Sequence, residues 1–417
     1  MKCEIVAIGS ELLTPFRQDT NSLYLTGRLN EIGVDVHYKT IVGDRPKDLT
    51  DAIRIALART DIVAVMGGLG PTEDDRTRQA VAEALQLSLR RDPEIVAALY
   101  ARFAARRIAM TENNSRQADV LQGAEVLPNP NGTAPGQWLD TVYQGHRKIL
   151  FLLPGPPNEC KPLFDTECLP RLRMTLPVRN IAKRVLKAAM LPESQCDARI
   201  APIYQQYGDV ETTILASAGD IQLNLICAKP TMQAALNRVN ELASRIEEEL
   251  GEEIYSSQGE TLEQIVLYFL EMRGATLAVA ESCTGGLLSE RLTSVPGSSR
   301  SFLGGAIVYS DELKTLFAEV PEELIEEYGA VSREVAEALA KGIRRKTGAR
   351  YGVGITGIAG PGGATDTKPV GLVYVSLTDG ARTEVVERRW TGGRDRVRQW
   401  ASQQALDMIR RRLMMND

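Results

Sequence analysis

Apolar and polar positions along the first third of the chain predict strands and helices in alternation. Apolar runs typical of strands lie at residues 3–8, 34–42, 61–66 and 148–153. Helical spacing covers residues 21–32, 47–58, 76–84 and 93–106. Such alternation predicts a parallel sheet with helices on both faces, in which ligands bind at the carboxyl ends of the strands.

The rest of the chain contains two further segments with their own patterns. The middle segment has the order strand, helix, two strands, helix and short strand, over residues 182–190, 193–206, 212–216, 221–228, 232–250 and 253–255. The last segment returns to α/β alternation, with helices at 261–273, 286–293, 332–347 and 393–414 and strands at 276–280, 302–309, 351–356 and 371–378. We predict an α/β chain of three domains: doubly wound at 1–174, small α+β at 175–257, and a second α/β domain at 258–417.

Composition and charge add mainly exclusions. A chain of 417 residues with 43% hydrophobic and 25% charged residues is long enough for two to four ordinary domains. Its net charge of −5 gives no general footprint for nucleic acid or anionic lipid, so we expect neither as a partner. The first apolar run is too short for a secretion signal, and no run approaches the roughly 20 residues of a membrane span. Six scattered cysteines without a CxxC pair are typical of a reducing compartment, and we predict a cytoplasmic location.

The sequence has two histidines, His37 and His146, and none after residue 146. A domain built only from later residues therefore cannot form a Ser-His-Asp triad, a Cys-His pair or a histidine-ligated metal site by itself. Any catalysis in such a domain must use a different base. The two histidines themselves fit ordinary surface or packing positions.

A glycine-rich turn follows the predicted buried strand 61–66 and leads into a helix. Residues 67–77 are Gly-Gly-Leu-Gly-Pro-Thr-Glu-Asp-Asp-Arg-Thr. Backbone amides around the glycines, together with the N-terminus of the helix, can bind an anion such as phosphate. The alternative is a tight turn in which Asp74 or Asp75 caps the helix. A cap needs one acid, whereas three acids in a row beside a phosphate suit a divalent cation.

Other polar turns are predicted at the same edge of the sheet. Asp44 follows the strand at 34–42 and can complete a metal site, orient a water molecule or cap a helix. The turns at 19–21 and 129–133 can reach the same crevice, and neither distinguishes these roles by itself.

The last segment carries a polar cluster between a predicted buried strand and a helix. Residues 278–286 are Ala-Val-Ala-Glu-Ser-Cys-Thr-Gly-Gly, so Ser282 lies at the exit of the strand. Ser282 can be a nucleophile beside amides that hold an oxyanion or phosphate, or only a helix N-cap. Because the segment has no histidine, a lysine with a pKa lowered by burial is the natural base for a serine. The candidate is Lys314, at the end of Tyr-Ser-Asp-Glu-Leu-Lys (309–314), and an ordinary surface lysine is the alternative.

Two competing interpretations concern nearby residues. Cys283 is a stronger intrinsic nucleophile than Ser282, but no histidine of this segment can activate it, so we prefer Ser282. Residues 352–357 match G-x-G-x-x-G, yet the first glycines lie inside a predicted strand and Pro361 follows instead of a helix. That placement disfavours a dinucleotide site.

Taken together, these motifs resemble the CinA family over all three segments. The turn at 67–77, with Asp44 before it and Pro-Gly-Pro-Pro (154–157) after it, looks like the family's molybdopterin-binding-type domain. This resemblance implies metal-dependent hydrolysis of ADP-ribose to AMP and ribose 5-phosphate, with Mg, Mn or Co as the divalent metal. Leu69 replaces the usual threonine between the glycines, which argues against pterin binding itself. The resemblance implies a catalytic Asp75, and the residues that it implies hold metal or substrate are Asp44, Asp74, Asp75, Asn21, Gly67, Gly68, Gly70 and Thr72.

From about residue 261 onwards the chain looks like the nicotinamide mononucleotide deamidase domain of CinA proteins. The resemblance implies that Ser282 attacks the carboxamide carbon with Lys314 as its base, without a cofactor. It also implies that Tyr309 and Thr356 complete the polar network or the oxyanion site. The residues that it implies contact the substrate are Cys283, Thr284, Gly285, Gly286, Gly357 and Gly360.

The middle segment resembles the KH-type domain of the family but has no GXXG loop, and its Glu-Glu-Glu run at 247–249 would repel phosphate. We predict a spacer and dimer-forming element rather than an RNA-binding domain. The whole chain is predicted to be a cytoplasmic, homodimeric, bifunctional hydrolase whose partners are nicotinamide mononucleotide and ADP-ribose. The alternatives are an enzyme with one active domain, or a non-catalytic nucleotide- or pterin-binding regulatory protein linked to competence or DNA damage.

Overall fold

The computed structural model describes residues 1–177 and 180–415. The chain divides into two compact units, Met1–Ile181 and Ala182–Asp417, so the predicted middle and last domains share one unit. Within the described ranges, every helix is too short or too polar to span a lipid bilayer.

The first unit is an α/β structure built on one main sheet. Its strands are β1 (Lys2–Ile8), β2 (Asp35–Val42), β3 (Ile62–Met66), β4 (Leu89–Arg91), β5 (Asp119–Leu121), β6 (Glu125–Leu127), β7 (Gly136–Tyr143) and β8 (His146–Leu153). Its α-helices are α1 (Asn21–Glu31), α2 (Pro46–Arg59), α3 (Thr77–Leu85), α4 (Pro93–Ala105), α5 (Pro157–Leu163) and α6 (Leu169–Thr175). The main sheet has the order β2-β1-β3-β8-β7-β6, and β4 and β5 pair separately.

The main sheet is mixed, not wholly parallel. β2, β1, β3 and β8 run parallel to one another, as the alternation predicts. β7 is antiparallel to both of its neighbours, β8 and β6. Between β7 and β8, Gln144 and Gly145 form a two-residue turn with φ of 50° and 80°. Such a turn joins antiparallel neighbours directly. The prediction of a parallel sheet is wrong at this edge because residues 136–143 lack a long apolar run.

Helices cover both faces of the main sheet, as predicted. On one face, Ile5 and Ala7 of β1 belong to a core that includes α1, α5 and α6. On the other face, Val6 and Ile8 belong to a core with α2 and α3. Every residue of β3 between them is buried, and burial of each large aliphatic side chain contributes roughly 1.5–3 kcal/mol. This packing holds the carboxyl ends of β1, β3 and β8 together, where the turns after β3 and β8 lie.

The second unit begins with a small α+β layer. Its elements are β9 (Asn180–Ala189), α7 (Glu193–Tyr204), β10 (Val210–Ser217), β11 (Asp220–Lys229), α8 (Met232–Leu250) and β12 (Ile254–Ser256). The sheet has the order β10-β11-β9-β12, and α8 buries Val239, Leu242 and Ile246 in the core that the sheet forms. The order of elements is the one that the sequence pattern predicts.

The remainder of the second unit is another α/β layer. Its strands are β13 (Leu277–Glu281), β14 (Phe302–Ile307), β15 (Tyr351–Gly357), β16 (Leu372–Thr378) and β17 (Thr383–Arg389). Its helices are α9 (Leu262–Met272), α10 (Leu287–Thr293), α11 (Asp311–Ala318), α12 (Glu322–Tyr328), α13 (Arg333–Thr347) and α14 (Arg394–Met414). In the order β14-β13-β15-β16-β17, the first three strands are parallel and the last two antiparallel to their neighbours. The sequence pattern predicts no element at β17, α11 or α12.

The C-terminal helix α14 is buried on most sides despite its charged sequence. Arg410 is fully buried and donates to Asp407 at 2.7 Å and to the carbonyl of Glu252 at 2.8 Å. Gln403 donates to the carbonyl of Gly219 at 3.2 Å. Because these partners belong to both layers, α14 ties the middle segment to the last one within the second unit.

Candidate functional sites

A cavity of about 460 Å³ lies at the carboxyl ends of β1, β2, β3 and β8. The structure brings seven of the sequence-predicted residues to its wall, namely Asn21, Asp44, Gly67, Gly68, Gly70, Asp74 and Asp75. Thr72 is not on the wall; its amide donates to Asp75 Oδ2 at 2.9 Å and its hydroxyl donates to the same atom. Thr72 therefore shapes the turn and orients Asp75.

The glycines of the turn after β3 are required by close packing. Gly67 has φ of 96°, and a Cβ there would lie 2.2 Å from the carbonyl oxygen of Ile8. Gly68 has φ of 63°, and its Cβ would lie 2.2 Å from Thr77 Oγ1. These residues therefore do form a tight turn, as the alternative interpretation of the motif holds. The amides of residues 68–70, however, have no hydrogen-bond partner among the described residues, and unpaired amides in a tight turn can bind an anion.

A buried cation lies beneath this turn. Arg78 is almost fully buried and donates to the carbonyls of Leu69 at 3.1 Å and Gln117 at 3.4 Å. Burial lowers the pKa of Arg78 to about 10, while the charges of Asp119 and Asp75 oppose that effect. The guanidinium is therefore protonated at neutral pH, and its charge favours an anion at the turn.

The carboxylates of the cavity do not form a ready-made metal cage. In the described part of the chain, no three His, Cys, Asp or Glu side chains are grouped so as to hold a metal ion. Asp44 accepts a hydrogen bond from the amide of Ser10 at 2.8 Å, and Asp75 is engaged by Thr72. A cation held by one or two carboxylates and by substrate phosphates is still compatible with this wall, since Mg²⁺ is often bound in that way.

The charge of the cavity wall also favours a bound divalent cation. Its charged lining residues are Glu11, Asp19, Asp44, Asp74, Asp75 and Glu159, against Arg17 alone. Six carboxylates facing one guanidinium would repel a nucleotide diphosphate. A divalent cation between wall and ligand removes that repulsion.

A second cavity, of about 180 Å³, lies beside the carboxyl ends of β13 and β15. The structure brings six sequence-predicted residues to its wall, namely Ser282, Cys283, Tyr309, Lys314, Thr356 and Gly357. Four others, Thr284, Gly285, Gly286 and Gly360, are not on the wall. The predicted nucleophile and base therefore line the same cavity. For the four residues off the wall, this geometry gives no contact with a substrate in the cavity.

Ser282 is held at the end of β13 by the neighbouring strand. Its amide donates to the carbonyl of Ile355 at 2.9 Å, and its own carbonyl accepts from the amide of Gly285 at 3.1 Å. The amides of Cys283 and Thr284 have no partner among the residues that the structure describes. Two unpaired amides next to a serine are the usual material of an oxyanion hole.

The buried Glu281 occupies the amide of Gly286 and amides in the first turn of α10. Its buried carboxylate accepts hydrogen bonds from the amides of Gly286 at 3.1 Å, Leu288 at 3.0 Å and Ser289 at 2.8 Å. It also accepts from the hydroxyl of Ser289 at 2.7 Å. The amide of Gly286 is thus occupied by the chain's own anion at the N-terminus of α10, and that of Gly285 by the carbonyl of Ser282, so neither is left to hold a substrate phosphate.

Lys314 is a buried lysine, not an ordinary surface one. Its side chain is 3% exposed, and its ammonium contacts Asp311 Oδ1 at 2.9 Å, one turn earlier on α11. Ser310 caps the helix, with its hydroxyl accepting from the amide of Leu313 at 3.4 Å. The cap fixes the start of α11 and so directs Lys314 into the cavity.

Two further side chains complete the wall. Arg394, at the start of α14, donates to the Tyr309 hydroxyl at 2.8 Å and to the carbonyl of Gly360 at 2.9 Å. Thr356 donates to the carbonyl of Ala330 at 2.7 Å. Neither Arg394 nor Asp311 is among the site residues predicted from the sequence. Asp311 lies within the motif at 309–314, which is a local signal, whereas Arg394 comes from a distant helix and has none.

The Cys283 thiol is a poor competitor for Ser282. Cys283 is 4% exposed, and burial raises the pKa of its thiol to about 12. A thiol must be ionised to act as a nucleophile. The preference for Ser282 thus has a structural reason in addition to the missing histidine.

Three family models match the chain in succession. Residues 4–174 match a probable molybdopterin binding domain, residues 183–256 the damage-inducible protein CinA KH domain, and residues 259–413 the CinA C-terminal domain. A CinA-like protein from Acidobacterium capsulatum is 67% identical over 99% of this chain and 100% of its own length. Another from Koribacter versatilis is 57% identical over the same shares. A solved structure of a competence/damage inducible protein from Agrobacterium tumefaciens is 34% identical, covers 37% of this chain and 94% of its own, and has a TM-score of 0.36.

Fold and matches define a multidomain α/β protein with a molybdopterin-binding-type domain, a KH domain and a separate C-terminal domain, each α/β layer carrying a polar cavity. Full-length relatives of such high identity show the family. The chain belongs to the CinA family, and the resemblance seen in its motifs is confirmed.

Proposed function

We propose that the C-terminal domain deamidates nicotinamide mononucleotide to nicotinate mononucleotide and ammonia. The observation that carries this proposal is the meeting of Ser282 and the buried Lys314 at one cavity, whose wall also includes Cys283 with its unpaired amide. Nucleophile, base and oxyanion donors are the three parts that acyl transfer requires. A cavity of about 180 Å³ is below the roughly 300 Å³ of an ordinary ligand pocket. It suits the carboxamide ring, with the rest of the nucleotide outside.

The chemistry follows from these groups. Lys314 in its amine form takes the hydroxyl proton of Ser282 as Oγ bonds to the carboxamide carbon. The amide of Cys283, the next residue on the cavity wall, stabilises the oxyanion that forms. The C–N bond then breaks, and Lys314 returns the proton to the leaving nitrogen, so that ammonia departs. Water attacks the acyl-enzyme by the same route and releases the carboxylate product.

Arg394 supplies the positive charge that the substrate needs. It lies on the cavity wall, and its guanidinium contacts the exposed Tyr309. Because Glu281 occupies the N-terminus of α10, we assign the phosphate of the nucleotide to Arg394 rather than to the glycine amides.

The test is the conversion of nicotinamide mononucleotide by the purified chain, followed by chromatography of the nucleotides. We expect one ammonia per nicotinate mononucleotide formed, and no conversion by Ser282→Ala. Arg394→Lys should raise KM more than it lowers kcat, since a point charge replaces a bidentate one. Full activity of Ser282→Ala would exclude the serine mechanism.

We further propose that the N-terminal cavity hydrolyses ADP-ribose to AMP and ribose 5-phosphate. The unpaired amides of residues 68–70, with Arg78 beneath them, can bind the phosphates. Asp44, Asp74 and Asp75 would hold a divalent cation, which when bound neutralises phosphate charge. Asp75 is also fixed by Thr72, so its carboxylate is held toward the cavity.

This second proposal is tested by AMP release with and without a chelator. We expect the chelator to abolish release and Asp75→Asn to lower it by about 100-fold. Asp92→Asn is the matched control, because Asp92 caps α4 away from the cavity and asparagine is an equally good cap. Unchanged AMP release by Asp75→Asn would contradict the proposed role of Asp75 in the N-terminal cavity. The homodimer and the cytoplasmic location stay predictions.

A further inference from the structure

Two buried amide side chains on the wall of the N-terminal cavity each have one unpaired oxygen. Asn21 donates from Nδ2 to the carbonyl of Gly155 at 2.7 Å, and Gln117 donates from Nε2 to Thr133 Oγ1 at 3.0 Å. Both residues are more than nine-tenths buried and line the cavity. Asn21 Oδ1 and Gln117 Oε1 have no partner within the described residues. Since the nitrogen of each amide is already used, each oxygen is left to accept a hydrogen bond from a donor other than the described residues, such as a ligand in the cavity.

We propose that Gln117 and Asn21 select the hydroxyl groups of a ribose in the substrate. This inference rests on the proposed nucleotide hydrolysis in the same cavity. Phosphate groups have only acceptor oxygens at neutral pH, so they cannot satisfy these two amides. Sugar hydroxyls donate, and a ribose that carries a phosphate places them near it.

The position of Gln117 next to the glycine turn supports a sugar attached to a phosphate. Arg78 donates to the carbonyl of Gln117 and to that of Leu69, so one guanidinium holds both segments. A phosphate on the amides of residues 68–70 would thus have its ribose beside Gln117.

The composition of the wall argues against recognition of the base. Among the described residues that line the cavity, none is Phe, Tyr, Trp or His. Proteins that grip a base usually stack an aromatic ring on it. The amino group of adenine is the other donor in ADP-ribose, and the experiment must separate it from the hydroxyls.

The test compares the full chain's binding of three kinds of nucleotide by calorimetry, and their hydrolysis in parallel. These are ADP-ribose, its analogue with hypoxanthine in place of adenine, and deoxy analogues that lack one ribose hydroxyl. We expect the hypoxanthine analogue to bind within about threefold of ADP-ribose, and at least one deoxy analogue to bind about tenfold or more weakly. Gln117→Met should weaken ADP-ribose to the level of that deoxy analogue and leave the deoxy analogue itself unchanged.

A matched variant separates this role from folding. Gln137 is also a buried glutamine of the first unit, but both ends of its amide are paired, with the amide of Leu121 and the carbonyl of Asp119. Gln137→Met should lower the unfolding temperature without changing the preference for the sugar. If Gln117→Met does not fold, Gln117→Glu keeps an acceptor oxygen and should retain the preference.

The outcomes distinguish this inference from the hydrolase proposal. Hydrolysis with a stronger dependence on the base than on the sugar, or a preference that survives Gln117→Met, overturns the inference alone. Sugar-selective binding without AMP release overturns the hydrolase and leaves the inference standing. Neither binding nor hydrolysis of any of these nucleotides overturns both.

Discussion

Ser282 and Cys283 are neighbours in which burial has opposite consequences. The thiol must ionise before it reacts, and burial raises its pKa to about 12, so it stays protonated at neutral pH. The hydroxyl needs only a base during the attack, and Lys314 lies on the same wall. At the residue scale the local motifs predicted Ser282 and Lys314, and the family resemblance implied Tyr309 and Thr356; all four line the second cavity. Gln117 and Arg394 could not be predicted, because tertiary contacts alone bring them to a cavity.

The base is tested at this scale by Lys314→Met. We expect ammonia release to fall about 100-fold or more, since general base catalysis contributes roughly that much. The measurement is kcat for nicotinamide mononucleotide, with unfolding temperature as a check on folding. Lys341→Met is the control: Lys341 is exposed on α13 and pairs with Glu337. Equal activity of the two variants would show that Lys314 is not the base.

At the scale of elements, an internal carboxylate decides what α10 can do. Helix N-termini attract anions, and the glycines before α10 look like a phosphate-binding turn. Glu281 fills that position, so the glycines serve the conformation of the turn, with φ of 58° at Gly285 and 91° at Gly286. The helices and strands with strong periodicity were predictable. β7 and β17 were not, because neither Gly136–Tyr143 nor Thr383–Arg389 contains a long apolar run. α14 is charged in sequence yet buried, since Arg410 pairs with Asp407 on the same helix and with the carbonyl of Glu252 in the middle segment.

Glu281→Gln tests this account of the element. The substitution leaves one acceptor for the three amides of Gly286, Leu288 and Ser289, so we expect a loss of about 1–3 kcal/mol in unfolding free energy. Ammonia release should fall as well, because the loop that carries Cys283 and Thr284 is anchored by this carboxylate. Urea unfolding and kcat are the measurements. Glu290→Gln, on the exposed face of α10, should change neither, and equal effects of the two variants would contradict the account.

At the scale of the whole molecule, each cavity is built from residues of a single compact unit. The two proposed activities should therefore be separable. We expect Ser282→Ala to leave AMP release from ADP-ribose within about twofold of the unchanged chain, and Asp75→Asn to leave ammonia release equally unaffected. Both assays on both variants provide the measurement. Loss of both activities in either variant would show that the cavities are coupled.

Because its cysteines are buried, we expect the chain to lose stability at alkaline pH. All six are buried, and burial raises the thiol pKa from 9.0 to about 12 at Cys160 and Cys283 and to about 11 at Cys196. In the unfolded chain these thiols ionise near pH 9, while in the folded chain they stay protonated, so the folded state binds more protons there. This stability is present below about pH 9 and is lost as the pH rises toward the folded values.

Urea unfolding at about pH 8 and about pH 10.5 measures this loss. We expect a lower unfolding free energy at the higher pH, and a smaller decrease in Cys196→Ala, which removes one of the thiols. A decrease of the same size in the variant would assign the effect to other groups.

The central claim is that Ser282 is the nucleophile of an amidase in the C-terminal domain. The most direct measurement is ammonia release from nicotinamide mononucleotide by the purified chain, by Ser282→Ala and by Cys283→Ala side by side. The account predicts release by the chain and by Cys283→Ala, and none by Ser282→Ala. Release that is lost in Cys283→Ala and kept in Ser282→Ala, or absent from the folded chain itself, would contradict it.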